Sequence, residues 1–252
     1  MPEAGPPQRD PDNPTYVHDT STLYDESGDV SEYQRQKFAP LLDAIESAAA
    51  PRRPEQLSLL DVGVGYGAFL RLCEERGFGR LAGLDPFPDS IRIAERHTGA
   101  RLRTGDAAAR DWPFEEAAFD VVTCLDVVEH LEEPRVFFDN AKRYLAPDGV
   151  LVVRTPNGQL PYRLRRVPGI GIPDPNPTHI NVHPPEWWSE RARAAGWWIV
   201  EDWRGEHLTH LRLLPRLLAL GCRWLGIDHR RVPGLAAFEQ AYVMVLRAGN
   251  RR

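Results

Sequence analysis

The stretch Leu57-Ser-Leu-Leu-Asp-Val-Gly-Val-Gly-Tyr-Gly-Ala68 decides the fold. Residues 57–62 are a short apolar run of strand type, and they end in a cluster of three glycines, Gly63, Gly65 and Gly67. From Ala68 to Arg76 the apolar residues recur at helical spacing until Gly77 stops them. A strand that hands over to a helix through glycines can turn tightly and bring its backbone close to a ligand. The helix that follows offers free N–H groups and the positive end of its dipole. Such a loop suits a nucleotide-like group at the carboxyl end of a parallel sheet.

The same rhythm continues downstream. Strands are predicted at 81–84, 100–104, 119–125 and 150–154, with helices at 88–97 and 134–145 between them. The two arginines of 100–104 give that strand an edge character. A further helix opens at Pro184 and Pro185 and closes at Gly196, followed by strands at 197–203 and 238–246. Strands alternating with helices mean an α/β fold: a mostly parallel sheet with helices on both faces. Upstream, Phe38, Leu41, Leu42 and Ile45 mark a helix that Pro51 and Pro54 end.

Composition bounds the rest. A chain of 252 residues suits one large domain, taken here as 15–252. Residues 1–14 carry five prolines and read as a disordered tail. That tail has no apolar segment of the secretory type, and no apolar run in the chain reaches bilayer length. The net charge of −5 argues against a duplex nucleic-acid partner. Cys73, Cys124 and Cys222 are odd in number and far apart, so neither a disulfide framework nor a paired metal site is expected, and a cytoplasmic location follows.

The glycines alone leave two ligand classes open. Gly63-x-Gly65-x-x-Ala68 fits the permissive dinucleotide fingerprint, and Asp85, 22 residues beyond Gly63, could hold a ribose in either class. However, Asp61-x-Gly63-x-Gly65-x-Gly67 resembles the first motif of class I S-adenosylmethionine-dependent methyltransferases. Asp85 at the end of the second strand and Gly105-Asp106-Ala107 after the third agree with that family. The segment from Phe119 to Pro134, FDVVTCLDVVEHLEEP, is similar to the fourth-strand signature of its small-molecule branch, which includes ubiquinone-biosynthesis and natural-product enzymes. The likeness covers 57–155 well and extends weakly to 178–203.

The resemblance implies a Rossmann-like sheet of seven strands, the last antiparallel. It also implies an N-terminal helical lid (15–56) and substrate-side insertions after strands 5 and 6 (156–185 and 204–236). It places S-adenosylmethionine at Asp61, Gly63, Gly65, Gly67, Asp85, Pro86, Asp106, Ala107 and Leu125. Acidic groups suit a sulfonium cation and hydroxyl donors better than a pyrophosphate. Asp106 is also expected to cap a following helix.

Methyl transfer to a small-molecule oxygen or nitrogen is the expected reaction, with a secondary metabolite as the suggested class. A hydroxyl acceptor needs a base, and His130 and His179 are the first choices. Glu129 and His130 have a second reading as helix-surface residues. Tyr24, Asn157 and His183 are assigned to the substrate. His179 and His183 stand four apart, but flanking prolines argue against a helix there, so no metal is assigned. Trp187, Trp188, Trp197 and Trp198 suit either an aromatic cage or the core. The Arg-studded apolar stretch of 204–236 reads most simply as a packed insertion, with a membrane-surface helix, a substrate cap or a homodimer face as other uses. Rival functions are an NAD-dependent oxidoreductase, a nucleic-acid methyltransferase and a non-catalytic cofactor-binding homologue.

Overall fold

A computed structural model describes residues 23–159, 178–205 and 241–249. Helix α1 (Glu32–Ala49) is capped by Ser31, whose hydroxyl accepts from the Gln34 amide. It is followed by β1 (Ser58–Val62), α2 (Ala68–Glu75), β2 (Arg80–Asp85), α3 (Pro88–Ala94) and β3 (Arg101–Thr104). Next come β4 (Phe119–Leu125), α4 (Pro134–Tyr144) and β5 (Leu145–Pro156). The described chain ends with α5 (Pro185–Ala194), β6 (Trp197–Arg204) and β7 (Ala241–Ala248).

The described strands form one seven-stranded sheet in the order β3-β2-β1-β4-β5-β7-β6. The first five are mutually parallel, and β7 runs antiparallel between β5 and β6. The predicted fold therefore holds, with β3 at the edge that its arginines suggested. Strand order reverses between β1 and β4, which opens a crevice at their carboxyl ends.

Alternation along each strand feeds two cores. Leu59, Val121 and Val152 pack with Phe38, Ile45, Leu70 and Ile91 of α1, α2 and α3. Leu60, Val122 and Leu151 pack on the other face with Phe137, Phe138 and Trp188 of α4 and α5. Trp188 and Trp197 are buried in that second core, so the packing reading of these two tryptophans holds.

Some local expectations change. Strand β5 is longer than 150–154 because β4 pairs with one edge from Leu145 and β7 with the other edge as far as Pro156. Helix α3 stops at Ala94, short of His97. No helix follows Asp106: its Oδ1 accepts from the Ala108 amide at 2.8 Å and closes a turn instead. The readings placed on 1–22 and 206–240 lie outside the described residues, as does most of the first insertion. Among the described residues, no helix is long and apolar enough to cross a membrane.

Candidate functional site

The glycine loop is built by conformation and by one carboxylate. Gly63 has φ +86° and Gly67 has φ +88°, both in the left-handed region. A Cβ at Gly63 would come within 2.2 Å of the Val127 side chain, so the loop closes directly against the turn after β4. A Cβ at Gly67 would meet Ala94 at 3.1 Å, which makes this glycine a packing position between α2 and α3. The Gly63 and Val64 amides donate to the Leu84 carbonyl, at 2.7 and 3.0 Å. Asp85 then ties the loop down: Oδ2 accepts from the Gly65 amide at 2.9 Å and Oδ1 from the Phe87 amide at 3.0 Å. Burial raises the Asp85 carboxyl, and these amides partly oppose the shift. Beneath the loop Asp61 is fully buried and accepts from the Thr123 hydroxyl at 2.7 Å. Burial pushes its carboxyl up to about 7, against the pull of the Thr123 hydrogen bond.

The crevice at the strand ends holds a cavity of about 880 Å³, a size suited to a small ligand. Of the residues expected at the cofactor, Asp61, Gly63, Gly65, Asp85, Pro86, Asp106, Ala107 and Leu125 all line it. Gly67 does not line it and serves helix packing instead. Helix α1 supplies part of the wall through Gln34, Lys37 and Phe38.

At the end of β4 the chain turns sharply, with Asp126 at φ +59°. A non-glycine residue in this region is held there by its surroundings. Asp126 is gripped by Lys37 of α1 at 3.0 Å and by Arg154 of β5. Burial alone would raise this carboxyl, but the two cations outweigh it and hold it low. Beyond it, Val128–His130 forms a single 3₁₀ turn.

That turn corrects the surface reading of Glu129. The side chain is 0% exposed, and its Oε2 accepts from the Thr155 hydroxyl at 3.1 Å. Its backbone carbonyl accepts from the Ile180 and Asn181 amides, at 3.1 and 2.9 Å. Burial, reinforced by the Asp126 charge, raises the Glu129 carboxyl. Its burial rests on contacts from Thr155 and from 178–181, both distant in sequence, which motif spacing does not report.

His130 lines the cavity, and its Nδ1 lies 3.1 Å from the Thr178 carbonyl and 3.0 Å from the Thr178 hydroxyl. His179 sits beside it, with ring centroids 4.7 Å apart, and its Nε2 is 4.0 Å from Glu129 Oε1. The two expected histidines are thus brought together across 49 residues of chain.

The three substrate candidates are not among the cavity-lining residues. The Tyr24 hydroxyl donates to the Tyr66 carbonyl at 2.7 Å, and its ring stacks on His97 at 3.8 Å. Asn157 is buried, and its Oδ1 accepts from the Gln159 amide. His183 stacks on Trp187 at 3.7 Å with Nε2 on Asn181 Oδ1. Sequence spacing reports none of these contacts.

The cavity chemistry fits a cationic, hydroxyl-bearing ligand. Asp61, Asp85 and Asp106 all line the cavity together with the glycine loop, an acidic lining that suits hydroxyl donors and a cation better than a pyrophosphate. Comparison with known proteins points the same way. A family model described as a methyltransferase domain matches residues 33–202. The ubiquinone biosynthesis O-methyltransferase of Azorhizobium caulinodans is 32% identical over 104 residues, which is 40% of this chain and 41% of that protein. The erythromycin 3''-O-methyltransferase of Saccharopolyspora erythraea is 37% identical over 117 residues, 44% of this chain and 38% of that protein. The matches therefore span about two-fifths of these relatives' own lengths. A crystallised protein from Pyrococcus horikoshii shares the fold, with a TM-score of 0.60 at 20% identity over 90% of this chain and 95% of that one.

Proposed function

The chain belongs to the methyltransferase-domain family, and from that premise we propose that it transfers a methyl group from S-adenosylmethionine to an oxygen or nitrogen of a small molecule. The observation that carries the reading is the acidic, glycine-floored cavity at the point where strand order reverses. The cofactor supplies a methyl group already activated on a positively charged sulfur. Much of the rate can then come from positioning the acceptor in line with it.

This chain's residues divide that work. Asp85 shapes the glycine loop and keeps carboxylate lone pairs for ribose hydroxyls. Asp106 and Ala107 border the adenine side, and Leu125 closes the cavity at the end of β4. Lys37 of α1 joins the lid side to the turn through Asp126. His130, with His179 beside it, marks the acceptor end and orients the acceptor's hydroxyl. Residues 15–56 act as the lid, and 156–185 and 204–236 shape the acceptor side.

An oxygen acceptor is the favoured form, because both curated relatives are O-methyltransferases by name. A secondary metabolite fits that choice. The acidic balance speaks against a duplex nucleic-acid partner, and the buried free thiols of Cys73 and Cys124 suit a reducing cytoplasm.

Calorimetric titration tests the reading. S-adenosylhomocysteine should bind the wild type and NAD should not. Asp85→Ala should weaken that binding at least tenfold, because the ribose acceptor and the loop anchor go together. Binding of NAD, or of neither ligand, would sink the proposal. Methylation of a panel of phenolic and sugar hydroxyls then separates an enzyme from a non-catalytic cofactor-binding homologue.

A further inference from the structure

We propose that Glu129, His130 and His179 form a binding site for one divalent transition-metal ion of the zinc class at the acceptor end of the cavity. The proposal rests on the reading of that end as the acceptor side, and it states what holds the acceptor there. The ligand-capable atoms of the three side chains lie within 4.8 Å of one another. They come from two segments far apart in sequence, the turn after β4 and residues 178–181. The Ile180 and Asn181 amides, bonded to the Glu129 carbonyl, and Asn181 Nδ2, bonded to the Leu131 carbonyl, lock these segments together.

Two imidazoles and one carboxylate are a borderline-soft set. Such sets select zinc and its transition-metal neighbours over magnesium or calcium. The surroundings orient these groups as metal sites orient theirs. A carbonyl can only accept, so the contact with the Thr178 carbonyl puts the His130 proton on Nδ1 and the lone pair on Nε2. Thr155 holds Oε2 of Glu129 and leaves Oε1 to face the histidines. That Oε1 is buried without a hydrogen-bond partner, a rare state for a carboxylate oxygen. The 4.0 Å from Oε1 to His179 Nε2 is too long for a hydrogen bond. Tetrahedral zinc, with ligands at about 2.0–2.1 Å, sets its ligand atoms about 3.3–3.5 Å apart, so small rotamer shifts would close the site. Because His130 and Thr178 line the cavity, the ion would have an open side toward a small molecule. An acceptor hydroxyl on that side would be both positioned and made more acidic.

The test uses the full chain, stripped with a chelator and free of cofactor. Co²⁺ is added and its visible absorption followed, with Zn²⁺ as competitor and metal content measured after dialysis. One equivalent should bind and be displaced by Zn²⁺. His179→Ala and Glu129→Gln should each weaken binding at least tenfold, whereas Asp85→Ala should leave it unchanged. Glu129 is buried and its variant could misfold, but His179 lies at the edge of the cluster, so that variant keeps the test decisive. Absence of stoichiometric binding, or undiminished binding in His179→Ala, overturns the proposal. S-adenosylhomocysteine affinity measured on the same samples succeeds or fails separately, so loss of the metal site and loss of the methyltransferase reading are distinguishable.

Discussion

Asp61 is where charge and burial conflict most plainly. Its carboxyl is pushed up to about 7 by burial, well above the roughly 3.9 of an exposed aspartate. Between those two values the folded state binds more protons than the unfolded one, so stability falls as pH rises through the window. Asp61→Asn removes this penalty and keeps an acceptor for the Thr123 hydroxyl. Relative to wild type, the variant should therefore gain stability at pH 8 over pH 5 in denaturant titrations, and parallel curves at the two pH values would count against the assignment. The same variant should bind S-adenosylhomocysteine less well, because the acidic floor is lost. The loop glycines separate by a different measurement. Ala at either Gly63 or Gly67 is strained by about 1–3 kcal/mol, since both sit at positive φ. Only Gly63 lines the cavity and abuts Val127. Calorimetry should thus find ligand affinity lost in Gly63→Ala and largely kept in Gly67→Ala, with Gly63→Ala also the more destabilised because its Cβ meets Val127.

Among the elements, α1 does two things. Phe38, Leu41, Leu42 and Ile45 bury one stripe of it in the core, with Ile45 at 0% exposure. Truncation of a residue of this kind typically costs about 2–5 kcal/mol, and Ile45→Ala should do so by urea unfolding. Lys37, at the flank of that stripe, reaches Asp126 in the cavity wall. Lys37→Met keeps the apolar stem and removes that link, while Arg154 still neutralises Asp126. Amide exchange should then quicken in the first turns of α1 with little change in β4 and β5. Uniform protection throughout would show that packing alone holds the helix. The turn at 126–131 has the opposite character. It has few residues of its own in regular structure, and it is held by β5 through Arg154 and Thr155 and by 178–181 through the Glu129 carbonyl.

For the whole molecule, cofactor binding should appear as stability. A ligand at a hundred times its dissociation constant adds about 2.7 kcal/mol, worth roughly 5–11 °C in melting temperature for a domain of this size. Differential scanning calorimetry with S-adenosylhomocysteine measures the shift, and its absence at saturating ligand would contradict the cavity assignment. The sequence by itself determined the alternating architecture, because local apolar periodicity and glycine punctuation are properties of neighbouring residues. The family resemblance carried by Asp61, Gly63, Gly65, Asp85 and Asp106 also pointed to the crevice they line, because each stands in or just after a strand end. The histidine end of the cavity belongs to the tertiary structure. Glu129, with a helix surface as its second reading, is buried, held by Thr155 and by residues 178–181. His179 found His130 and Glu129 rather than His183, four positions away. Tyr24, Asn157 and His183 lie outside the lining of this cavity, with Tyr24 bonded to Tyr66, Asn157 to Gln159 and His183 to Asn181. Those outcomes depend on which distant segments meet and which hydrogen bonds burial forces them to make, and neither is encoded in spacing along the chain.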